Sequence, residues 1–196
     1  MSSIDNSFFL SQAPMKRFLQ SLSNDRLKHA YLVLGPEGSG KSTFVQTAAA
    51  AINCIGMQRP CGNCPACIQT YSGSFADLHW YTPSKKIIPV DDMRALINEL
   101  ANRPNSAQYK ICVIEHADLM NDSSQNCLLK ALEEPLGNTV FFLLAESGDG
   151  LLPTIRSRCT PIEMSAVCDA ELTAYLTKKY PHADKTDIYN AITIAD

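Results

Sequence analysis

The chain has 196 residues, enough for one domain of ordinary size and part of a second. Apolar residues make up 45% of the chain, so it can bury a core, and the net charge of −3 argues against an independent, nonspecific nucleic-acid binder. No apolar run approaches the roughly 18 residues that a membrane span needs, and the first residues lack a signal-peptide pattern. We therefore expect a cytoplasmic protein without membrane contact.

The first part of the chain is predicted to form a helix, a strand and a second helix around a glycine-rich segment. Helical spacing of apolar residues predicts a helix within residues 14–28, and an apolar run predicts a strand over Ala30–Leu34. The glycine-rich segment 35–42 follows, and a second helix is predicted over 41–53. Residues 54–67 contain four cysteines in a loop too short to have a core of its own.

The second part of the chain continues this alternation of strands and helices. The apolar run 139–145 is typical of a strand in a parallel sheet that is covered on both faces. The pattern as a whole predicts an α/β, doubly wound fold. The predicted elements are a strand at Leu78–Tyr81, a helix that begins near Asp91 and Asp92, a strand at 111–114, a helix capped by Asp122 or Ser123 that runs to Glu134 and stops at Pro135, the strand at 139–145, and one helical turn at 153–157.

After about Ser165 the pattern becomes purely helical. We therefore expect a first domain over residues 1–165, with the cysteine-rich module at about 54–67, and the beginning of a small helical domain over 166–196. The last residues, AITIAD, lie in a helical pattern without a stop signal. This suggests a longer protein that continues beyond Asp196.

Residues 35–42, GPEGSGKS, fit the phosphate-binding motif G-x-x-x-x-G-K-[ST]. The glycines would let backbone N–H groups surround phosphate oxygens, Lys41 would reach the β and γ phosphates, and the Ser42 hydroxyl would bind Mg²⁺. A strand precedes the loop and a helix follows, as the motif requires; the alternative is a chance glycine turn. We predict an ATP or ADP site with Mg²⁺. Its candidate residues are Gly35, Pro36, Glu37, Gly38, Ser39, Gly40, Lys41, Ser42 and Thr43.

Four cysteines, Cys54, Cys61, Cys64 and Cys67, are spaced closely enough to share one ion. Four thiolates with no open position are typical of structural zinc, and we predict Zn²⁺ without a catalytic role. The alternatives are four reduced thiols in a loop, or an iron–sulfur cluster, whose usual C-x₂-C-x₂-C-x₃-C-P run is absent. The remaining cysteines are expected to be buried thiols: Cys112, Cys127, Cys159 and Cys168.

Three further stretches belong together: HAYLVLGPEGSGKS (residues 29–42), NCLLKALEEP (126–135) and PTIRSRC (153–159). With the cysteine module between the first two, the chain from about Ser11 onward resembles the clamp-loader subunits of bacterial DNA polymerase III. These are AAA+ proteins, either the gamma/tau motor subunit or the delta prime subunit. The resemblance implies an AAA+ P-loop core with an inserted zinc module, a helical lid domain and, beyond Asp196, an oligomerisation collar.

The resemblance also implies a function and a set of partners. A clamp loader uses ATP to open the ring-shaped sliding clamp and place it on primer–template DNA. This chain would act within the DNA polymerase III holoenzyme beside gamma/tau and delta subunits. The arginine of Ser-Arg-Cys, here Arg158, would project into a neighbouring subunit's ATP site as a finger in trans, a role worth about 10³–10⁵ in rate. The alternative is an exposed arginine at a helix end, as Arg156 illustrates.

Glu115 and His116 stand where a motor subunit of this family has Asp-Glu. Glu115 could still serve Mg²⁺, but a neutral imidazole cannot copy the carboxylate that polarises the attacking water. The EHAD pattern of residues 115–118 resembles delta prime subunits, so we expect nucleotide binding with weak or no hydrolysis. Ser147 is the nearest candidate γ-phosphate sensor, with Glu146 beside it.

Two other functions remain open from the sequence. The chain could be a gamma/tau motor with its own ATPase activity. It could also be a zinc-containing P-loop kinase for a small acceptor, although this leaves the NCLLKALEEP and SRC segments unexplained.

Overall fold

Five parallel strands with helices on both faces form the described part of the chain. The computed structural model describes residues 10, 12–84, 86–101, 104, 107–134, 137–166, 169–180, 182 and 184. The strands are β1 (Ala30–Leu34), β2 (Leu78–Tyr81), β3 (Lys110–Ile114), β4 (Thr139–Ala145) and β5 (Thr160–Glu163). The helices are α1 (Ala13–Ser23), α2 (Lys41–Ile52), α3 (Pro65–Ser72), α4 (Val90–Leu100), α5 (Asp122–Glu133), α6 (Pro153–Arg158) and α7 (Asp169–Lys179), with a 3₁₀ turn at Ala117–Leu119.

The strands pair in the order β2-β3-β4-β1-β5, and every pairing is parallel. The chain therefore starts near one side of the sheet with β1, crosses to the far edge at β2, and returns through β3 and β4. This confirms the predicted doubly wound α/β fold. Because the strands run in one direction, their carboxyl ends meet along a single edge of the sheet, where open α/β sheets bind ligands.

The sheet separates two apolar cores, because successive strand residues point to opposite faces. Leu32, Ile114 and Leu143 face α4, α5 and α6 on one side, whereas Val33 and Val113 face α1 and α2 on the other. Every residue of β4 is buried, as its apolar sequence predicts. Aromatic rings reinforce the second core, where Phe18, Tyr31, Phe44 and Phe142 pack with ring centroids 5.2–6.2 Å apart.

Several helix ends differ from the prediction by one residue, and two of the differences concern where a helix begins. The first helix, predicted within residues 14–28, is Ala13–Ser23 and so begins one residue earlier than this range. The N-cap of α5 is Asn121, not Asp122 or Ser123: its side chain accepts a hydrogen bond from the Ser124 amide at 2.9 Å. Asn is as good a cap as Asp or Ser, so the candidates could not be ranked by residue type alone.

Two elements were missed by the sequence analysis. Strand β5 has mostly exposed side chains and contains Pro161 and Glu163, so it carries no apolar periodicity. Helix α3 begins at the end of the cysteine-rich segment and continues beyond it, and its buried residues are Cys67 and Thr70 rather than ordinary apolar residues. Both elements depend on their partners, β1 for the strand and the cysteine cluster for the helix.

Helix α7 lies in the part of the chain where the sequence predicts the beginning of a second domain. The predicted helical positions Ile188, Ala191 and Ile192 lie outside the described residues, as do Pro135 and Cys168. Of the other cysteines expected in the core, Cys112 and Cys159 are buried and Cys127 is only half-buried. None of the described helices has the length and apolar character needed to cross a membrane.

Candidate functional site

A cavity of about 300 Å³ opens at the carboxyl ends of β1, β3 and β4. The loop after β1 supplies the glycine-rich segment, the residues after β3 supply Glu115 and His116, and the end of β4 supplies Glu146. The parallel sheet thus brings together three segments that are far apart in the sequence. The volume lies at the lower end of the range of small-molecule sites.

The glycine-rich loop has the backbone geometry that its motif predicts. Gly38 and Gly40 have φ angles of 73° and 79°, in the left-handed region that favours glycine. A Cβ on Gly35 would lie 2.5 Å from the carbonyl oxygen of Met164, so this position also requires glycine. Helix α2 begins directly after Gly40, and its N-terminus faces the cavity, as an anion site requires.

Two polar side chains of the loop have atoms suited to a bound phosphate. The Lys41 ammonium donates to the carbonyl oxygens of Gly35 and Pro36, both at 2.8 Å, which holds it across the loop. The Ser39 hydroxyl is buried and has no hydrogen-bond partner among the described residues. A buried polar group without a partner is costly, so a bound anion would satisfy a donor that the chain leaves unpaired. The loop therefore fits a nucleotide phosphate.

Glu115 lies against the loop and is fixed at both carboxylate oxygens. Its Oε1 accepts from the Ser42 hydroxyl at 2.8 Å, and its Oε2 accepts from the Thr82 hydroxyl at 2.8 Å. Its backbone N–H donates to the carbonyl of Tyr81 at 3.0 Å, which continues the β2–β3 pairing. The acid therefore lies beside the hydroxyl that the motif assigns to Mg²⁺. Thr82 was missed by the sequence analysis; its position directly after β2 was the available signal.

His116 lines the cavity but has a different character from Glu115. Its φ of 48° places it in the left-handed region, which is uncommon for a residue with a side chain. The residue is exposed, and its ring makes no hydrogen bond to any residue that the structure describes. No second carboxylate therefore follows Glu115 at this strand end.

Of the two residues at the candidate sensor position, Glu146 and Ser147, only one lines the cavity among the described residues. Glu146, directly after β4, lines the cavity. Ser147 instead donates to the carboxylate of Asp149 at 3.2 Å and accepts from the Asp149 amide at 3.3 Å, within its own loop. The geometry thus brings Glu146, and not the Ser147 hydroxyl, to the nucleotide cavity.

Arg158 lies at the end of α6, away from the cavity. Its Nη2 donates to Glu133 at the end of α5, and its Nη1 donates to the carbonyl of Thr154 at 3.0 Å. The side chain is 34% exposed. Arg158 is not among the described residues that line the cavity.

Gln125 connects the segments around the cavity and was also missed by the sequence analysis. Its buried amide donates to the carbonyls of Met120 and Gly150, at 3.0 and 2.9 Å, and accepts from the Leu152 amide at 2.7 Å. It thereby joins the loop after β3, the loop after β4 and the start of α6. A polar residue on the inner face of a predicted helix was the signal for it.

The four predicted metal-ligating cysteines are brought together in the structure. The sulfur atoms of Cys54, Cys61, Cys64 and Cys67 all lie within 4.8 Å of one another. The Cys54 and Cys64 sulfurs are 3.9 Å apart, close to the roughly 3.8 Å that tetrahedral geometry with Zn–S bonds of about 2.3 Å implies. The geometry and the donor set fit one four-coordinate thiolate-bound ion.

Backbone N–H groups support this cluster. The amides of Gly56 and Cys61 donate to the Cys54 sulfur, each at 3.3 Å. Hydrogen bonds from the Asn63 and Cys64 amides lower the pKa of the Cys61 thiol to about 6, while burial raises the pKa of Cys54. Such N–H donors favour thiolates, the form that binds metal.

The cysteine module packs on the helix that follows the phosphate loop. Ala50 of α2 is buried against the cluster, and its carbonyl lies 3.7 Å from the Cys67 sulfur. Gln46 of α2 donates to the carbonyl of Thr70 in α3 at 3.3 Å. The module thus supports the back of α2, whose N-terminus faces the cavity.

Comparison with known proteins gives consistent matches. A family model described as DNA polymerase III, delta subunit, matches residues 11–167. DNA polymerase III subunit delta' of Bacillus subtilis (strain 168) is 36% identical over 161 residues, which cover 79% of this chain and 49% of that protein. DNA polymerase III subunit tau/gamma of Haemophilus influenzae is 34% identical over 158 residues, covering 79% of this chain and 23% of that protein.

A solved structure shows the same fold. A DNA polymerase III gamma subunit-related protein from Thermotoga maritima superposes with a TM-score of 0.64 at 19% identity, covering 91% of this chain and 57% of that one. The chain spans about half the length of the Bacillus subtilis delta' protein. The sequence matches, the parallel sheet and the phosphate loop agree, and the chain belongs to the DNA polymerase III delta prime family of AAA+ clamp-loader subunits.

Proposed function

We propose that the chain acts as a delta prime subunit that binds nucleotide, hydrolyses it poorly, and supplies Arg158 to the ATP site of a neighbouring subunit. The observation that carries the proposal concerns the two residues that directly follow β3. The Glu115 carboxylate accepts a hydrogen bond from Ser42 of the phosphate loop there, and the exposed His116 follows it where hydrolysis needs a second carboxylate.

The nucleotide would lie on the loop between β1 and α2. Backbone N–H groups around Gly38 and Gly40 would surround the phosphates, and Lys41 would turn part of its donor capacity from loop carbonyls to phosphate oxygens. Ser42 and Glu115 would hold Mg²⁺, which would neutralise phosphate charge when bound. The hydrogen bond between them orients both oxygen ligands in advance.

Weak hydrolysis follows from two residues of the same cavity. His116 offers at most one neutral acceptor to an attacking water, and loss of a positioned base costs about 10²–10⁴ in rate. Glu146 would place a negative charge near the terminal phosphate, where transition-state charge requires donors or cations. Both features oppose the chemical step, while the phosphate loop, Ser42 and Glu115 remain available for binding.

The catalytic contribution would then be made in trans. Arg158 lies outside the chain's own cavity, is partly exposed, and carries a permanent positive charge. It would stabilise the charge on the phosphoryl group of ATP bound by a gamma/tau subunit. The proposed partners are gamma/tau and delta subunits, the sliding clamp and, through the assembled complex, primer–template DNA in the cytoplasm; the cysteine cluster would hold a structural Zn²⁺.

The alternative within the family is a gamma/tau motor. It is favoured by the intact loop and by the Ser42–Glu115 hydrogen bond, which a non-functional nucleotide site would not need. The matches to both subunit types leave this alternative open to experiment. The zinc-containing kinase hypothesis has no supporting observation among the matches.

A turnover assay on the isolated protein separates the two family members. We expect Mg-ATP to bind with an affinity that Lys41→Ala removes, while phosphate release stays near the level of that variant. The assay pairs equilibrium nucleotide binding with steady-state phosphate release on the same preparations. Brisk hydrolysis by the wild type that Lys41→Ala abolishes would contradict the proposal and favour the motor.

A further inference from the structure

Arg158 is held by a residue of a different helix. Its Nη2 contacts the Oε1 of Glu133, the last residue of α5, and its Nη1 contacts the carbonyl of Thr154 one turn earlier in α6. The two restraints come from two elements and act on two different nitrogens. Together they fix both the position and the plane of the guanidinium group.

The restrained guanidinium keeps most of its hydrogen-bonding capacity. Arginine has five N–H donors, of which Glu133 and Thr154 take one each, so three remain for a ligand. Both side chains of the ion pair are partly exposed, at 34% for Arg158 and 48% for Glu133. An ion pair at this exposure adds little to folding stability, so its main consequence is the orientation of the arginine.

We propose that Glu133 is a positioning residue for Arg158, which holds the guanidinium ready to meet a phosphate on the neighbouring subunit. This inference rests on the proposed role of Arg158 in trans. Without Glu133, a long flexible side chain would have to be ordered at each encounter, which lowers the fraction of productive complexes. Glu133 itself does not touch the nucleotide, and its effect passes through Arg158.

Glu133 is also placed to prevent a wrong orientation. Its carboxylate lies at the C-terminus of α5, where it keeps the guanidinium between the ends of two helices rather than extended into solvent. A permanent cation that is already partnered also loses less rotamer freedom when a second anion binds. The pair therefore prepares the arginine and does not block it.

The test is a double-mutant cycle in the reconstituted clamp loader, built with the full-length protein and its motor subunits. Glu133→Ala should lower kcat for ATP about tenfold with little change in KM, because misplacement by about 1 Å can cost up to about 10²-fold. Glu133→Gln, which keeps an acceptor oxygen, should lie between the wild type and Glu133→Ala. In the Arg158→Ala background, Glu133→Ala should have no further effect.

Glu134→Ala is the matched control, because it removes the same charge from the next residue, whose side chain makes no ion pair among the described residues. It should leave kcat unchanged, and assembly measured by size-exclusion chromatography should be the same for all variants. An increase in kcat with Glu133→Ala would overturn the inference, and so would an equal loss in the Arg158→Ala background. If Arg158→Ala alone has no effect, the proposed trans role fails first; if it lowers kcat and Glu133→Ala does not, only the inference fails.

Discussion

At the residue scale, the nucleotide site is organised around Glu115. The carboxylate accepts one hydroxyl from the phosphate loop and one from Thr82 at the end of the neighbouring strand. Both oxygens are therefore oriented before any ligand arrives. Thr82 has no motif signature, and its importance comes from the parallel pairing of β2 with β3.

Thr82→Val removes one hydroxyl while nearly keeping the shape of the side chain. We expect the Mg²⁺-dependent part of nucleotide binding to weaken by about 1 kcal/mol, roughly fivefold, because a hydrogen bond to the charged Glu115 is lost. The measurement is the dissociation constant of ATP with and without Mg²⁺ by isothermal titration calorimetry. Thr82→Ser keeps the hydroxyl and should bind like the wild type, and equal weakening with and without Mg²⁺ would refute this role.

Much of the phosphate loop could be predicted from residue types, whereas the side-chain pairs that hold the functional residues in place could not. The phosphate-loop residues share one contiguous motif with a known mechanism. The pairs Ser42–Glu115, Thr82–Glu115 and Glu133–Arg158 join residues that are 73, 33 and 25 positions apart. Such pairs follow from strand order and helix packing, which the hydrophobic pattern alone does not fix.

At the element scale, the cysteine module shows which parts of a local structure a sequence pattern predicts. The four cysteine positions predicted a common ion site, and the structure brings the sulfurs together. The pattern could not reveal that α3 begins at the end of this segment, since the buried residues of the helix are Cys67 and Thr70. The module packs on α2, and this contact links the cysteine cluster to the helix that follows the phosphate loop.

Cys64→Ser should lower the zinc content from about one ion per chain to a small fraction of that value, because a structural site needs all four ligands. The same variant should lower the melting temperature, since metal binding contributes to folding. Elemental analysis and thermal denaturation measure the two effects. Cys127→Ser, outside the cluster, should keep the zinc, and wild-type protein purified without chelator and free of metal would contradict the assignment.

At the scale of the whole molecule, the cavity and the Glu133–Arg158 pair lie in different parts of the fold. The cavity lies at the carboxyl ends of the strands. Glu133 and Arg158 lie at the ends of α5 and α6 and are not among the residues that line it. Buried Gln125 joins the loops beside the cavity to the start of α6. The alternation of elements predicted the doubly wound sheet, but β5, which lacks an apolar pattern, became evident only from its pairing with β1.

The central claim is that this chain contributes to ATP hydrolysis mainly through Arg158 at a neighbouring subunit's site, and only weakly through the residues of its own site. The measurement that tests it most directly is the steady-state ATP turnover of the reconstituted complex, in which only this subunit is changed. We predict that Arg158→Ala lowers turnover by about 10³-fold at the neighbouring site, while Arg156→Ala, two residues earlier, leaves it nearly unchanged. Full turnover with Arg158→Ala in a correctly assembled complex would contradict the account.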